Sequence, residues 1–187
     1  MTRIKHLFSV CELPYVWLRQ SQDNGHAPGD RFYFTGDTIY SYGSHFPIAR
    51  IRTAPNGEAV ILMTTRTYSV TTARHISAIR TAIRNSYRRV IYCAHPDVAV
   101  SHEQNLSDFK LVMSFDIERH ARARKPELYS GKILAIAQQA REYCEVMCLG
   151  VLTWAQLPDE SFIPTDTLFH GEPLRAVLAV TQGLLTQ

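Results

Sequence analysis

Between Arg31 and Ser69 the chain alternates short runs of aromatic and β-branched residues with turn-forming ones, and from Thr71 onward that alternation stops. No other feature limits the fold as strongly. A period of two builds strands, a period of 3.6 builds helices, and one segment cannot satisfy both. "RFYFTGDTIYSYG" carries strand-forming residues on both sides of Thr35-Gly36-Asp37 and predicts a hairpin. "FPIARIR" continues in strand periodicity, the Asn56-Gly57 pair supplies a turn, and "AVILMTTRTYS" is a long β-type run. Four strands in a meander are expected. From Thr71-Thr72, either of which can act as cap, the pattern predicts an amphipathic helix reaching about Arg89. The fold class is therefore α+β, a small antiparallel sheet followed by that helix and a helical C-terminal part.

The remaining segments fill in this plan. "YVWLRQ", from Tyr15, fits a strand or the end of a short helix, and "SQDNGHAPGD" reads as a loop. "VIYCAHPDVAV" looks like a further strand. "NLSDFKLVMSFDIERHARARK" and "GKILAIAQQAREYCEVMCLGVL" read as helices broken at Pro126 and Gly131, and "EPLRAVLAVTQGLL", with Pro173 in its first turn, as a last helix. The expected division is a β-rich domain with a basic helix over 1–92 and a mainly helical part over 93–187. Apolar residues make up 45% and charged ones 20%, a mixture that can bury a core. No long apolar stretch predicts a membrane span or a secretory leader. Four irregularly spaced cysteines suit a reducing, cytoplasmic setting.

The net charge of +3 conceals a segregation. Residues 50–90 hold eight arginines against the single acid Glu58, a local +7, whereas 91–187 hold eight basic and twelve acidic residues, a local −4. Arginine without lysine suits bidentate contact with phosphate or carboxylate. At 100° per residue, Ile76, Ile79, Ile83 and Val90 fall on one side of the expected helix, while Arg74, Arg80, Arg84 and Arg88 fall opposite. With Arg50, Arg52 and Arg66 from the strands, they compose a candidate nucleic-acid surface. The bland alternative is a solvated face, or arginines paired with acids of the later segment.

In "DTIYSYGSHFPI", alternation sends Thr38, Tyr40 and Tyr42 to one side, a two-tyrosine wall, with Gly43 in a left-handed turn and Pro47 directing the return. Two readings stand side by side. The rings fill a small core while His45 bonds a backbone carbonyl, or Tyr40, Tyr42 and His45 form an exposed platform on which bases stack.

These residues also carry a resemblance. "WLRQSQDNGHAPGDRFYFTGDTIYSYGSHFPIARI" followed by "TTRTYSVTTARHISAIRTAI" resembles a family of uncharacterised domains carried by phages, plasmids and other mobile elements, marked by its Tyr-Ser-Tyr-Gly-x-His-Phe-Pro-Ile-Ala and Tyr-Ser-x-Thr-Thr segments. The match covers about Trp17 to Ile83. It implies a mobile-element setting and no activity, so no catalytic residue is carried over.

Other chemistry is weaker. Cys144 and Cys148, one helical turn apart, would need Cys93 and His95 to complete a zinc site, and two small buried residues on an apolar face account for them better. Asp116, Glu118 and His120 have a spacing that scatters them over a helix. Phosphate-loop, nucleophile-elbow and His-Glu-x-x-His signatures are absent. No catalytic residue, metal ligand or cofactor is assigned. The leading expectation is a non-enzymatic mobile-element protein that engages nucleic acid through the arginine helix. The alternative is an anti-CRISPR or other host-defence inhibitor that binds a nucleic-acid-handling protein complex, with self-association as a further option. A nuclease-like enzyme with His45 or His75 as base is held in reserve.

Overall fold

In a computed structural model that describes residues 5–97 and 102–148, the alternating segments pair in chain order. Helix α1 (Leu13–Arg19), with Pro14 in its first turn, precedes them, so "YVWLRQ" is helical. Strands β1 (Asn24–His26), β2 (Phe32–Thr35), β3 (Thr38–Ser41), β4 (Pro47–Thr53) and β5 (Ala59–Thr64) form an antiparallel meander. After helix α2 (Val70–Arg84), strand β6 (Val90–Cys93) joins β5 in parallel. A parallel neighbour cannot be reached by a tight turn, and α2 is the crossover that reaches it. The fold is α+β, a six-stranded, mostly antiparallel sheet with helices following.

Three expectations about these elements need correction. "SQDNGHAPGD" is not all loop, because β1 lies inside it and pairs Gly25 with Phe34. A Cβ on Gly25 would come within 2.7 Å of the Phe34 ring, so glycine lets the edge strand approach. The cap of α2 is Ser69, whose Oγ accepts from the Thr72 N–H at 3.1 Å, with Thr71 and Thr72 inside the helix. The helix also stops at Arg84, five residues early: Asn85 caps it and Tyr87 turns left-handed at φ 55°.

Register divides the sheet into two faces. On one, Phe32, Phe34, Ile39, Ile61 and Met63 meet Leu13 and Trp17 of α1 and Ile76, Ile79 and Ile83 of α2 in a continuous core. Each such side chain, fully buried, contributes roughly 1.5–3 kcal/mol before the entropy of ordering is charged against it. Trp17 also fixes the β2–β3 turn by donating its indole N–H to the Asp37 carbonyl at 3.0 Å. The opposite face carries Tyr33, Tyr40, Arg50, Arg52, Val60, Leu62 and Ile91.

The chain forms two compact units, Met1–Ser101 and His102–Gln187, so β6 and the turn after it belong with the sheet. In the second unit α3 (His102–Arg122) and α4 (Glu127–Met147) pack through Met113, Ile117 and Ile133. The buried Tyr143 hydroxyl accepts from Asn105 Nδ2 at 2.8 Å and lies 2.9 Å from His102 Nδ1. The break near Pro126 is present, with α3 ending at Arg122 and Pro126 standing at the N-cap of α4, but α4 passes through Gly131, since one glycine costs a helix only about 1 kcal/mol. Asp116 and His120 are not scattered: four residues apart, they share a face of α3 and are both buried, while Glu118 alone is exposed. The helix expected over 172–185 lies outside the described residues.

Candidate nucleic-acid interface

Strand direction brings the ends of β3, β5 and β6, the start of β4 and the first turn of α2 to one end of the sheet. The segments Tyr40–Ile48 and Tyr68–Thr72 meet there. Ser41 closes the β3–β4 connection by donating its N–H to the Phe46 carbonyl at 3.1 Å, and Phe46 donates to the Gly43 carbonyl at 3.1 Å. Gly43 is left-handed at φ 137°, as its position predicts, and Tyr42 before it is left-handed at φ 64°. The Phe46 ring sits edge-on to Tyr68, centroids 4.6 Å apart. Ser41 Oγ lies 2.8 Å from His75 Nδ1, and the His75 imidazole stacks on Phe32 at 4.3 Å. Burial holds the His75 imidazole below the ordinary histidine range, and the neighbouring Arg74 charge pushes the same way. A neutral ring therefore ties β3 to α2. With Ser41 fully buried and His75 nearly so, the pair is a structural tie and not an accessible nucleophile and base.

The left-handed Tyr42 also breaks the expected wall. Alternation holds only while the strand continues, and β3 ends at Ser41. Tyr40 stacks on Tyr33 at 5.1 Å on one face of the sheet, whereas Tyr42 lies 6.4 Å from His75 on the other. Tyr33, half-buried against Tyr40, has its phenol pushed up by desolvation first and by its neighbour second. His45 is exposed at the tip of the turn.

Around this end of the sheet, rings and guanidinium groups are interleaved. Tyr42 is 42% exposed, with the Arg31 guanidinium 5.6 Å from its ring centre; Tyr68 is 64% exposed, with Arg66 at 5.1 Å. Arg66 also donates to the Tyr68 hydroxyl and reaches the His95 ring at 3.2 Å. From here the outer face of α2 carries Arg74, Arg80 and Arg84, all exposed, and none has an acidic partner among the described residues. Arg80 lies 6.0 Å over Tyr92. Arg88 falls beyond the end of the helix, half-buried and off the stripe, because the chain turns at Tyr87 before reaching it.

The arginines of β4, and Arg89 just before β6, behave differently, whereas Arg66 lies past the end of β5. Arg50 pairs with Asp37 at 3.0 Å and with Asp97 at 3.3 Å, and Arg89 pairs with Glu58 at 3.3 Å. Arg52 is half-buried on the same sheet face, its Nε without a hydrogen-bond partner. The candidate residues thus separate across the sheet. Arg66, Arg74, Arg80, Arg84, Tyr42 and His45 share the loop end and the outer face of α2, while Tyr40, Arg50 and Arg52 lie on the far face. Residues that sequence reasoning passed over are Arg31, Tyr68 and Tyr87. For Tyr68 and Tyr87 the available signal was an arginine two or three residues earlier, Arg66 and Arg84, whereas Arg31 and Tyr42, eleven positions apart, left no such pattern.

Cys93 and Cys144 are buried, with burial pushing their thiols up to about 12 and about 11, and Cys148 is exposed. Among the described residues no group of three or more His, Cys, Asp or Glu side chains is arranged to hold a metal ion, and no helix is long and apolar enough to cross a membrane. No protein-family model, no curated protein and no solved structure matches the chain.

Proposed function

We propose that this chain is a non-enzymatic accessory protein of a mobile element that engages nucleic acid through the outer face of α2 and the adjoining end of the sheet. One contrast carries the reading: Arg50 and Arg89 are neutralised by Asp37, Asp97 and Glu58, whereas Arg74, Arg80 and Arg84 have no acidic partner among the described residues. Like charges one turn apart, as at Arg80 and Arg84, cost a helix a few tenths of a kcal/mol, and a phosphate chain lying along them reverses the sign of that term. The mobile-element setting rests on the resemblance carried by Tyr40–Ile48 and Tyr68–Thr72.

The test is purification without nuclease, followed by the ultraviolet absorbance ratio and a gel of the extracted material. Co-purifying nucleic acid is expected from the native chain and not from a variant with Arg74, Arg80 and Arg84 all changed to Gln. A native preparation that is free of nucleic acid and binds no oligonucleotide would contradict the reading. The acidic excess of residues 91–187 favours a second one, an anti-defence inhibitor docking on a nucleic-acid-handling complex, since segregated charge orients a protein on a partner. That reading predicts arginine-dependent capture of the complex with no affinity for free oligonucleotide.

A further inference from the structure

We infer that the nucleic acid taken by this surface is single-stranded, its unpaired bases stacking on Tyr42 and Tyr68 at one end of α2 and on Tyr87 at the other, with phosphates on the arginines between. The inference rests on the nucleic-acid reading above and narrows it to a substrate class. Its first support is where the rings stand. Tyr42 and Tyr68 project from loops at the N-terminal end of α2, and Tyr87, 99% exposed, follows its C-terminal cap. None of the three is part of the buried core. An exposed tyrosine face is matched by the face of a base, and in a duplex those faces are covered by neighbouring pairs.

Its second support is the interleaving of charge. Arg31 lies 5.6 Å from the ring centre of Tyr42 and Arg66 5.1 Å from that of Tyr68, so a cation stands beside both stacking positions at the N-terminal end of α2. A nucleotide offers a flat π face and an anionic phosphate joined by a sugar, and a ring beside a guanidinium answers both. Length gives a third constraint. The fifteen residues of α2 span about 22 Å at 1.5 Å per residue, the length of roughly six or seven nucleotides stacked 3.4 Å apart.

Fluorescence anisotropy at low salt tests this, using single strands of DNA and of RNA of one mixed sequence and the matching DNA duplex. The single strands are expected to bind at least about tenfold more tightly than the duplex, with affinity rising up to roughly seven nucleotides and then levelling. Tyr87→Ala, at a site exposed enough to leave folding intact, and Tyr68→Ala should each lose about 5- to 100-fold on single strands and less than about twofold on the duplex. Stacking is blind to the sugar, so DNA and RNA strands should bind alike. Binding confined to one of them would show that sugar contacts set the affinity and would overturn the assignment. Duplex binding as tight as single-strand binding, with the tyrosine variants unchanged and Arg74/Arg80/Arg84→Gln inactive, would overturn it while leaving nucleic acid as the partner. No binding to any oligonucleotide would remove both.

Discussion

Gly43 is where one residue's conformational freedom shapes the candidate site. At φ 137° it turns the chain out of β3 so that Phe46 can pack under Tyr68, and an added Cβ would meet the His45 ring at 2.9 Å. His45 is exposed and can swing aside, so the main cost of substitution is backbone strain. Gly43→Val should destabilise by roughly 1–3 kcal/mol, lowering the melting temperature by about 4–8 °C per kcal/mol, whereas His45→Ala should melt like the native chain. Equal melts for Gly43→Val and the native protein would remove the turn from this account. His75 supplies a pH dependence with a definite sign. Its imidazole is held below the ordinary 6.5. The unfolded chain therefore takes up this proton before the folded one does, so the contribution is complete above that pH and is lost as pH falls below it. Melting temperature should drop between about pH 7 and pH 5 in the native chain, and less in His75→Gln, which keeps a partner for Ser41 but does not titrate. An identical drop in both would assign the effect to other groups. The glycine was legible in the sequence, since a strand followed by Gly-Ser-His-Phe-Pro needs a left-handed residue. The tie between Ser41 and His75 was not, because a contact across 34 residues leaves no local pattern.

At the scale of elements, the arginines of α2 and those of the strands separate into two classes that mutation should distinguish. Arg50→Gln leaves Asp37 and Asp97 without their shared cation in a half-buried setting and should cost about 1–3 kcal/mol. Arg84→Gln, on the exposed face, should stay within about 0.5 kcal/mol of native. Denaturant midpoints measured side by side check this, and a reversed order would contradict the separation. The sheet and α2 were readable because β2 and β3 carry aromatic and β-branched residues around a turn, β5 is an apolar run, "AVILMT", with nearly unbroken burial, and α2 keeps a helical period. Boundaries were less so. Ser69, Thr71 and Thr72 are all chemically able caps, and which one serves is decided by where β5 releases the chain. β1 escaped notice because three residues at a glycine-bearing edge are held by pairing with β2 and not by their own propensity. Arg88 was assigned to the stripe by extending a period past Asn85, where the capping turn ends it.

Across the whole sheet-bearing unit, the sheet itself decides which residues can act together. Eight arginines within 41 positions look like one basic patch in the sequence, but alternation sends Arg50 and Arg52 to the face opposite α2, where Asp37 and Asp97 pair with Arg50. Sequence alone could count the charges and could not pair them, because Asp37 and Asp97 lie far from Arg50 along the chain. The surface left over, Arg66 with Arg74, Arg80 and Arg84, is the one the account rests on, and counterion release measures it directly. Affinity for a labelled oligonucleotide should be followed across a salt series for the native chain and for Arg74/Arg80/Arg84→Gln. Log affinity against log salt should fall with a slope of roughly −3 for the native chain, as expected for about four phosphate contacts on a single strand, and the triple variant should lose about two units of that slope with its affinity. A native slope near zero, or a slope unchanged in the triple variant, would contradict the claim that α2 is the nucleic-acid-binding surface.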